Sequence, residues 1–324
     1  MLEAMNQHGL ETHLLCYDHY AYSASFPFPI HRLSSPVKDP SLRSGPSWRK
    51  VLQDIHLISA IRRLAHTLRP THVVAHHVEA ALASLMAGIK PLFIAHTQLD
   101  AELPMYVSNP WHTLAQDAGA FVESALVKHS LQCAAVSPRL AQTLQHRHNR
   151  NVRYLPIPWP LAEAIQPDQR DIARVRFGFG SQERVLLYTG NLDAYQGWEI
   201  LIPCLKHVRL RGHNAYLLVA TESCPEALLA LAWQSGMSPY LRVTHLHGEH
   251  QRRLLSACAD VVTVPRLMSA GVPVKLLDAL ARGIPTVCVQ TATGGLSIHG
   301  KAHIAMTQTT DAMTSMIEQV LDHP

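Results

Sequence analysis

Two basic side chains, Arg266 and Lys275, stand where the sequence predicts the end of one strand and the start of a helix. The segment from Val261 to Val289 is VVTVPRLMSAGVPVKLLDALARGIPTVCV, which predicts a strand, a loop, a short helix and a second strand. A helix N-terminus beside the carboxyl end of a strand is where α/β proteins bind phosphate groups. A guanidinium fits phosphate oxygens and a lysine adds a compact charge. The segment therefore predicts an anion site.

A second loop of the same kind follows another apolar stretch and has the sequence YTGNLDAYQG at positions 188–197. It predicts a strand end, a turn of small residues and a glycine ahead of a helix with apolar periodicity. Glycine allows a backbone to approach a ligand closely, so Gly190 and Gly197 are candidate binding residues. Asn191 and Gln196 are candidate neutral donors to the same ligand.

Loops of this kind belong to folds in which strands and helices alternate along the chain. The first half of the chain already shows this alternation. Short apolar runs predict buried parallel strands. The predicted strands are Thr12–Cys16, His72–Ala75, Leu92–Ala95, Cys133–Val136 and Arg153–Pro156, with helices around Trp48–Leu68, Val78–Met86, Trp111–Lys128 and Arg139–Gln145. The segment from Tyr20 to Pro46 shows no clear periodicity and is expected to be a long loop that is either functional or disordered.

A second alternating series follows PIPWP at 156–160 and the polar segment Gln166–Arg170, which together predict a hinge. Two alternating series predict two doubly wound sheets. The predicted strands are Val185–Tyr188, Ala215–Ala220, Arg242–Leu246, Asp260–Val264, Thr286–Val289 and His303–Met306, with helices near Gly197–Leu210, Pro225–Gln234 and His250–Cys258.

The first segment resembles the donor-binding region of family-4 glycosyltransferases, which are retaining GT-B enzymes that use nucleotide sugars. That family has a strand ending in Pro-Arg and then G-x-P-x-K-L-x-[ED]-x-x-A-x-G-x-P. The matching residues are Pro265, Arg266, Gly271, Pro273, Lys275, Leu276, Asp278, Ala281, Gly283 and Pro285. The resemblance implies an α/β chain with two Rossmann-like doubly wound domains facing across a cleft. The acceptor side would be residues 1–158 and the donor side residues 159–324.

The resemblance also implies roles for the second domain. Arg266 and Lys275 would be catalytic, because they stabilise the departing diphosphate. Asp278 would accept hydrogen bonds from the ribose hydroxyls. Ala270 stands where the family often has an acid near the donor sugar, so the backbone N–H groups of the Ser269–Gly271 loop would replace it.

Three further motifs match the family. Gly294-Gly295 resembles its T-x-x-G-G turn, where glycine brings the backbone close to the ligand. Gln196 stands where many members have a lysine that contacts the diphosphate. His96, after a predicted strand, resembles the histidine that faces the transferred sugar and would be catalytic, and the element starting at Glu102 resembles E-L-P-x-Y. His77 and Glu79 lie at another strand-to-helix transition.

Composition predicts an ordinary globular protein, with 47% hydrophobic and 16% charged residues over 324 positions. The net charge of +4 and the lack of long basic runs argue against nucleic-acid binding. Six scattered cysteines predict reduced thiols and a cytosolic protein, or one held peripherally at the inner face of a membrane. The sequence has 22 histidines, and two clusters of three stand out, at 72–77 and 245–250. We interpret both as structural, so we expect no metal or other cofactor.

The sequence therefore predicts a retaining hexosyltransferase that uses a nucleotide diphosphate sugar and a glycan or lipid acceptor. The family's first strand and C-terminal helices are expected to be missing or short, which leaves an alternative. That alternative is a catalytically impaired GT-B scaffold that binds a nucleotide or a partner protein. A GT-B epimerase is a weaker third possibility, because too few carboxylates and histidines converge on a sugar ring. The sequence names neither the sugar, the base nor the acceptor.

Overall fold

A computed structural model describes residues 1–18, 26–33, 45, 47–159, 165–246, 248–267, 271–296, 304–307 and 309–323. The chain forms two compact units. The first consists of Met1–Val136 and Leu140–Pro158, and the second of Ser137–Arg139 and Trp159–Pro324. None of the described helices combines the length and the hydropathy that a transmembrane span requires.

The first unit contains two parallel sheets with helices between the strands. Its strands are β1 (Leu14–Tyr17), β2 (Ile30–Leu33), β3 (Val74–His76), β4 (Leu92–Ala95), β5 (Gln132–Ala135) and β6 (Val152–Tyr154). Its helices are α1 (Leu2–Gln7), α2 (Trp48–Leu68), α3 (His77–Met86), α4 (Leu99–Glu102), α5 (His112–His129) and α6 (Pro138–His148). β1 pairs with β2, while β3, β4, β5 and β6 lie side by side in chain order.

Apolar side chains bury one face of the larger sheet of the first unit. Phe93 on β4 and Cys133 on β5 pack in one cluster with Leu126 of α5 and Leu140 of α6. Because its strands follow chain order, the reversal of a doubly wound sheet is not seen among the described strands of this unit. A cavity of about 1440 Å³ lies against β1, α2 and β3.

The second unit is one six-stranded parallel sheet with helices on both faces. Its strands are β7 (Arg184–Thr189), β8 (Ala215–Ala220), β9 (Leu241–Thr244), β10 (Val261–Val264), β11 (Thr286–Val289) and β12 (Ile304–Thr307). Its helices are α7 (Pro167–Phe177), α8 (Leu201–Leu210), α9 (Glu226–Gln234), α10 (Gly248–Cys258), α11 (Val274–Ala281) and α12 (Thr310–Asp322).

The strand order of this sheet is β12-β11-β10-β7-β8-β9. Side chains on β7 alternate between two cores, with Leu186 and Tyr188 in one cluster and Val185 and Leu187 in the other. This alternation explains the continuous apolar run, because a parallel strand with helices on both faces is buried on both sides. The order reverses between β7 and β10, and ligands of open α/β sheets bind at the carboxyl ends of strands at such a switch point.

The structure corrects part of two sequence-based predictions about loops. The polar segment Gln166–Arg170 was expected to belong to a hinge, but Gln166 caps α7 and the segment forms its first turn. Proline is tolerated at the first turn of a helix, so Pro167 does not end it. The predicted loop from Tyr20 to Pro46 contains β2, and its residues 20–25, 34–44 and 46 lie outside the described residues.

A buried carboxylate fixes α7 to the sheet. Asp260 accepts hydrogen bonds from Arg170 Nη2 and Arg174 Nη2, each at 2.6 Å. It also accepts one from the backbone N–H of Val185 at 2.7 Å, at the start of β7. These contacts supply the tertiary stabilisation of a helix whose own sequence is polar.

Candidate functional site

The two loops predicted to bind an anion follow β7 and β10, the neighbouring strands at the switch point. The backbone N–H of Leu267 donates to the carbonyl of Tyr195 at 3.1 Å, which joins the two loops directly. Gly197 lies at their closest approach, because a Cβ there would stand 2.3 Å from the carbonyl oxygen of Pro265. The φ of Gly197 is +64°, which also favours glycine. The sheet topology therefore brings residues 190–197 and 265–267 together.

Lys275 is at the first turn of α11 and points back into the first loop. Its Nζ donates to Gln196 Oε1 at 3.0 Å and lies 4.1 Å from the centroid of the Tyr188 ring. A Cβ at Gly190 would be 2.8 Å from this Nζ and would displace the ammonium group, and the φ of +131° also favours glycine there. Gln196 thus holds the lysine through a neutral carbonyl oxygen.

Lys275 has no protein counter-charge among the residues that the structure describes, because none of their carboxylates comes within 4.0 Å of its Nζ. Burial, with a smaller effect from the Arg266 charge, lowers the pKa of this lysine to about 7. An enclosed amine with only neutral partners and a nearby cation favours the binding of an anion, which would restore the charged form.

Arg266 lies beside this lysine at the start of the second loop. Its guanidinium carbon is 5.6 Å from the centroid of the Tyr195 ring. Its carbonyl oxygen accepts a hydrogen bond from Thr291 Oγ1 at 2.8 Å, so the segment after β11 holds the backbone of this loop. Thr291 is the threonine of the T-x-x-G-G pattern in the sequence, and its contact with Arg266 depends on β10 and β11 being neighbours.

The glycine turn after β11 packs against the second loop. Gly294 has a φ of +60°, and a Cβ there would stand 2.8 Å from the carbonyl oxygen of Gly271. Gly295 has a φ of +80° and Gly271 one of +74°. Close backbone packing therefore explains Gly294, and the positive φ favours glycine at all three positions. Ser269 and Ala270, named with this loop in the sequence, lie outside the described residues.

Two other residues that the sequence predicts to contact the ligand form hydrogen bonds with neighbouring side chains. Asp278 Oδ1 accepts from Arg282 Nε at 3.1 Å, one turn later on the helix. Asn191 Nδ2 donates to Asp193 Oδ2 at 2.8 Å and to the Tyr195 hydroxyl oxygen at 3.3 Å. Asn191 therefore shapes its own loop, and a ribose bound at Asp278 would share that carboxylate with Arg282.

The remaining predicted residues lie in the first unit. His96 follows β4, and its Nε2 is 2.9 Å from His76 Nδ1. Its ring stacks on His77 with the centroids 4.2 Å apart. Burial first, and then the charges of His77 and His76, lower the pKa of His96 to about 3. Glu102 ends α4, where its Oε1 accepts from the Tyr106 hydroxyl at 2.9 Å.

The described residues contain no group of three histidine, cysteine or carboxylate side chains placed to hold a metal ion. His247, from the second histidine cluster, lies outside them. The charge at the switch point of the second unit comes instead from Arg266 and Lys275.

Residues 183–323 match the family model described as group 1 glycosyl transferases. The matched residues all lie within the second unit. The match begins just before β7 and ends with α12, so it contains both loops of the switch point. A search of curated protein sequences finds no significant match.

Solved structures extend the likeness over the whole chain. Sucrose-phosphate synthase from Thermosynechococcus elongatus is similar with a TM-score of 0.79 at 16% identity, covering 100% of this chain and 82% of that one. WaaG, a glycosyltransferase involved in lipopolysaccharide biosynthesis, has a TM-score of 0.72 at 14% identity, covering 99% and 85%. Anabaena HepE in complex with UDP and glucose has a TM-score of 0.68 at 14% identity, covering 91% and 77%. The chain has the GT-B fold.

Proposed function

We propose that the chain is a retaining glycosyltransferase that moves a hexose from a nucleotide diphosphate sugar to a glycan or lipid acceptor. The observation that carries this proposal is the enclosed ammonium of Lys275, which has no carboxylate partner among the described residues and lies at the switch point of a parallel sheet. A diphosphate supplies the negative charge that this position lacks. The match of residues 183–323 to group 1 glycosyl transferases supports the same reaction class.

The proposed chemistry depends on the leaving group. As the bond from the anomeric carbon to the diphosphate oxygen breaks, negative charge collects on the diphosphate and the sugar becomes oxocarbenium-like. Lys275 and Arg266 stabilise that charge, since fixed cations near a developing anion act mainly in the transition state. The acceptor hydroxyl attacks from the face the diphosphate leaves, and a diphosphate oxygen takes its proton. Retention of configuration follows from this geometry.

We infer that the donor is a UDP sugar. Anabaena HepE, which shares the fold, has structures in complex with UDP and with UDP-glucose. Residues 159–324 would bind this donor and residues 1–158 the acceptor. His96 is the candidate contact to substrate from the first unit. Asp278 would hold the ribose, and Gly190, Gly197, Gly271, Gly294 and Gly295 would let the backbone approach the nucleotide. The reaction needs no metal or other cofactor, and the protein would work in the cytosol or at the inner face of a membrane.

Release of nucleoside diphosphate from a panel of UDP and GDP sugars tests the proposal. Lys275→Ala is expected to lower the rate by about 10²–10³-fold, which is typical for loss of one group that stabilises the developing charge. Lys206→Ala is the matched control, because Lys206 is exposed on α8. Thermal melting verifies that both variants are folded.

Equal rates in the Lys275→Ala variant and the natural protein would contradict the proposal. Binding of a nucleotide sugar without any turnover, with and without candidate acceptors, would favour the scaffold alternative instead. Configuration of the product, measured by NMR of the anomeric proton, separates retention from inversion.

A further inference from the structure

Three histidines meet at the carboxyl edge of the first unit's larger sheet. His76 is the last residue of β3, His77 begins α3, and His96 directly follows β4, the neighbouring parallel strand. His76 Nδ1 and His96 Nε2 are 2.9 Å apart, which is a hydrogen bond. The ring planes of His77 and His96 differ by 17° at 4.2 Å between centroids. The His96 ring is therefore hydrogen-bonded at its edge by His76 and stacked on its face by His77.

The backbone at His77 is strained to make this contact. Its φ is +68°, in the left-handed region that non-glycine residues rarely adopt. Such strain persists only where the surrounding structure enforces it, and it concentrates at functional positions. Here it places the imidazole of His77 against the ring of His96.

The hydrogen bond with His76 leaves one nitrogen of His96 for a ligand. A neutral imidazole has one donor and one acceptor nitrogen, and the group bonded to one nitrogen determines the role of the other. Nε2 is occupied by His76, while Nδ1 has no hydrogen-bond partner among the residues described. The ring is partly exposed at this edge, so Nδ1 is accessible.

We propose that His76 is a positioning residue for His96, whose ring it holds in one orientation so that Nδ1 faces the substrate. The proposal depends on the proposed function for the role of His96 as a substrate contact. His96 then acts as a fixed neutral hydrogen-bonding partner to a sugar hydroxyl, and not as a cationic acid. The imidazoles of His77 and His76 are the charged groups that act on the pKa of His96, and both lower it, in agreement with a neutral ring.

Two substitutions of His76 separate positioning from a merely structural role. The amide of His76→Asn reaches the place of the imidazole Nδ1 and can still hydrogen-bond with His96 Nε2. His76→Leu fills similar space without that hydrogen bond. We expect His76→Leu to lower turnover of the nucleotide sugar about tenfold to a hundredfold with little change in KM, as loss of orientation does. We expect His76→Asn to recover most of that loss.

Nitrogen-15 NMR of histidine-labelled protein reads the tautomer and the pKa directly, without substrate, and His96→Gln identifies the signals of His96. The natural protein and His76→Asn are expected to show a neutral His96 with a hydrogen bond at Nε2 down to pH 5. His76→Leu is expected to show a His96 that lacks the hydrogen bond at Nε2.

A His96 in the natural protein that shows no hydrogen bond at Nε2 would overturn the proposal, and so would unchanged turnover in His76→Leu. Failure of the proposed function can be distinguished from failure of the His76 proposal. If the protein is not a glycosyltransferase, neither the natural protein nor any variant releases nucleoside diphosphate, but NMR still detects the hydrogen bond between His76 and His96.

Discussion

Raising the pH from 6 to 8 is expected to weaken the binding of UDP-glucose, because Lys275 loses its proton over this range. Burial and the nearby Arg266 lower the pKa of this lysine to about 7 in the free protein. A bound diphosphate favours the ammonium form, so binding at pH 7 is accompanied by uptake of about half a proton per site. The sign follows from the direction of the pKa change, since the free group is charged below pH 7 and neutral above it.

The size of the effect follows from the same pKa. Lys275 is about nine-tenths charged at pH 6 and about one-tenth charged at pH 8, because each pH unit changes the ratio of the two forms tenfold. If only the charged form binds, the apparent Kd rises about tenfold, which equals about 1.4 kcal/mol. The groups around this amine do not titrate in that range, since Gln196 is neutral, Arg266 stays charged and burial raises the pKa of Tyr188.

Isothermal titration calorimetry with UDP-glucose measures both quantities, with buffers of different ionisation enthalpy reporting the proton uptake. The phosphates of a nucleotide sugar have no proton to lose between pH 6 and 8, so the ligand adds no slope of its own. Lys275→Arg keeps a permanent charge and should remove the pH dependence, whereas Lys206→Gln should keep it. A Kd of the natural protein that does not change between pH 6 and 8 would refute the reasoning. The same pH dependence of Kd in Lys275→Arg as in the natural protein would also refute it.

Two further substitutions test the structure around the site. Gly197→Ala forces a Cβ to within 2.3 Å of the Pro265 carbonyl oxygen and should lower the free energy of unfolding by several kcal/mol, about 3 kcal/mol more than Gly212→Ala, whose Cβ meets nothing within 4 Å. A similar loss in both variants, measured by urea unfolding, would disprove the close approach. Asp260→Asn leaves Arg174 without its buried carboxylate partner and should cost about 3–5 kcal/mol. A loss below about 1 kcal/mol would mean that the ion pair resembles a surface one.

The sequence alone predicts much of the fold because its buried strands are continuous apolar runs. The predicted bounds of β4, β8 and β11 agree with the structure, and the GT-B fold is confirmed. β2 was missed because its four residues, IHRL, include a histidine and an arginine and show no apolar run. α7 was missed because its polar first turn is stabilised by contacts with Asp260, ninety residues away from Arg170.

Contacts in the candidate site depend on topology, which limits what the sequence predicts. The motifs select Lys275 and Gln196 separately, but their hydrogen bond joins positions 79 residues apart and exists because β7 and β10 are neighbours. The pair of Asp278 and Arg282 is different, because side chains four residues apart on a helix commonly meet. This contact can be predicted from the sequence spacing.

A crystal structure of the protein with bound UDP tests the central claim most directly, because it shows where the diphosphate lies. We expect the diphosphate between the loops that follow β7 and β10, with one of its oxygens at hydrogen-bonding distance from Lys275 Nζ and with the Arg266 guanidinium beside it. UDP bound elsewhere on the molecule, or bound at these loops with its diphosphate directed away from Lys275, would contradict the account.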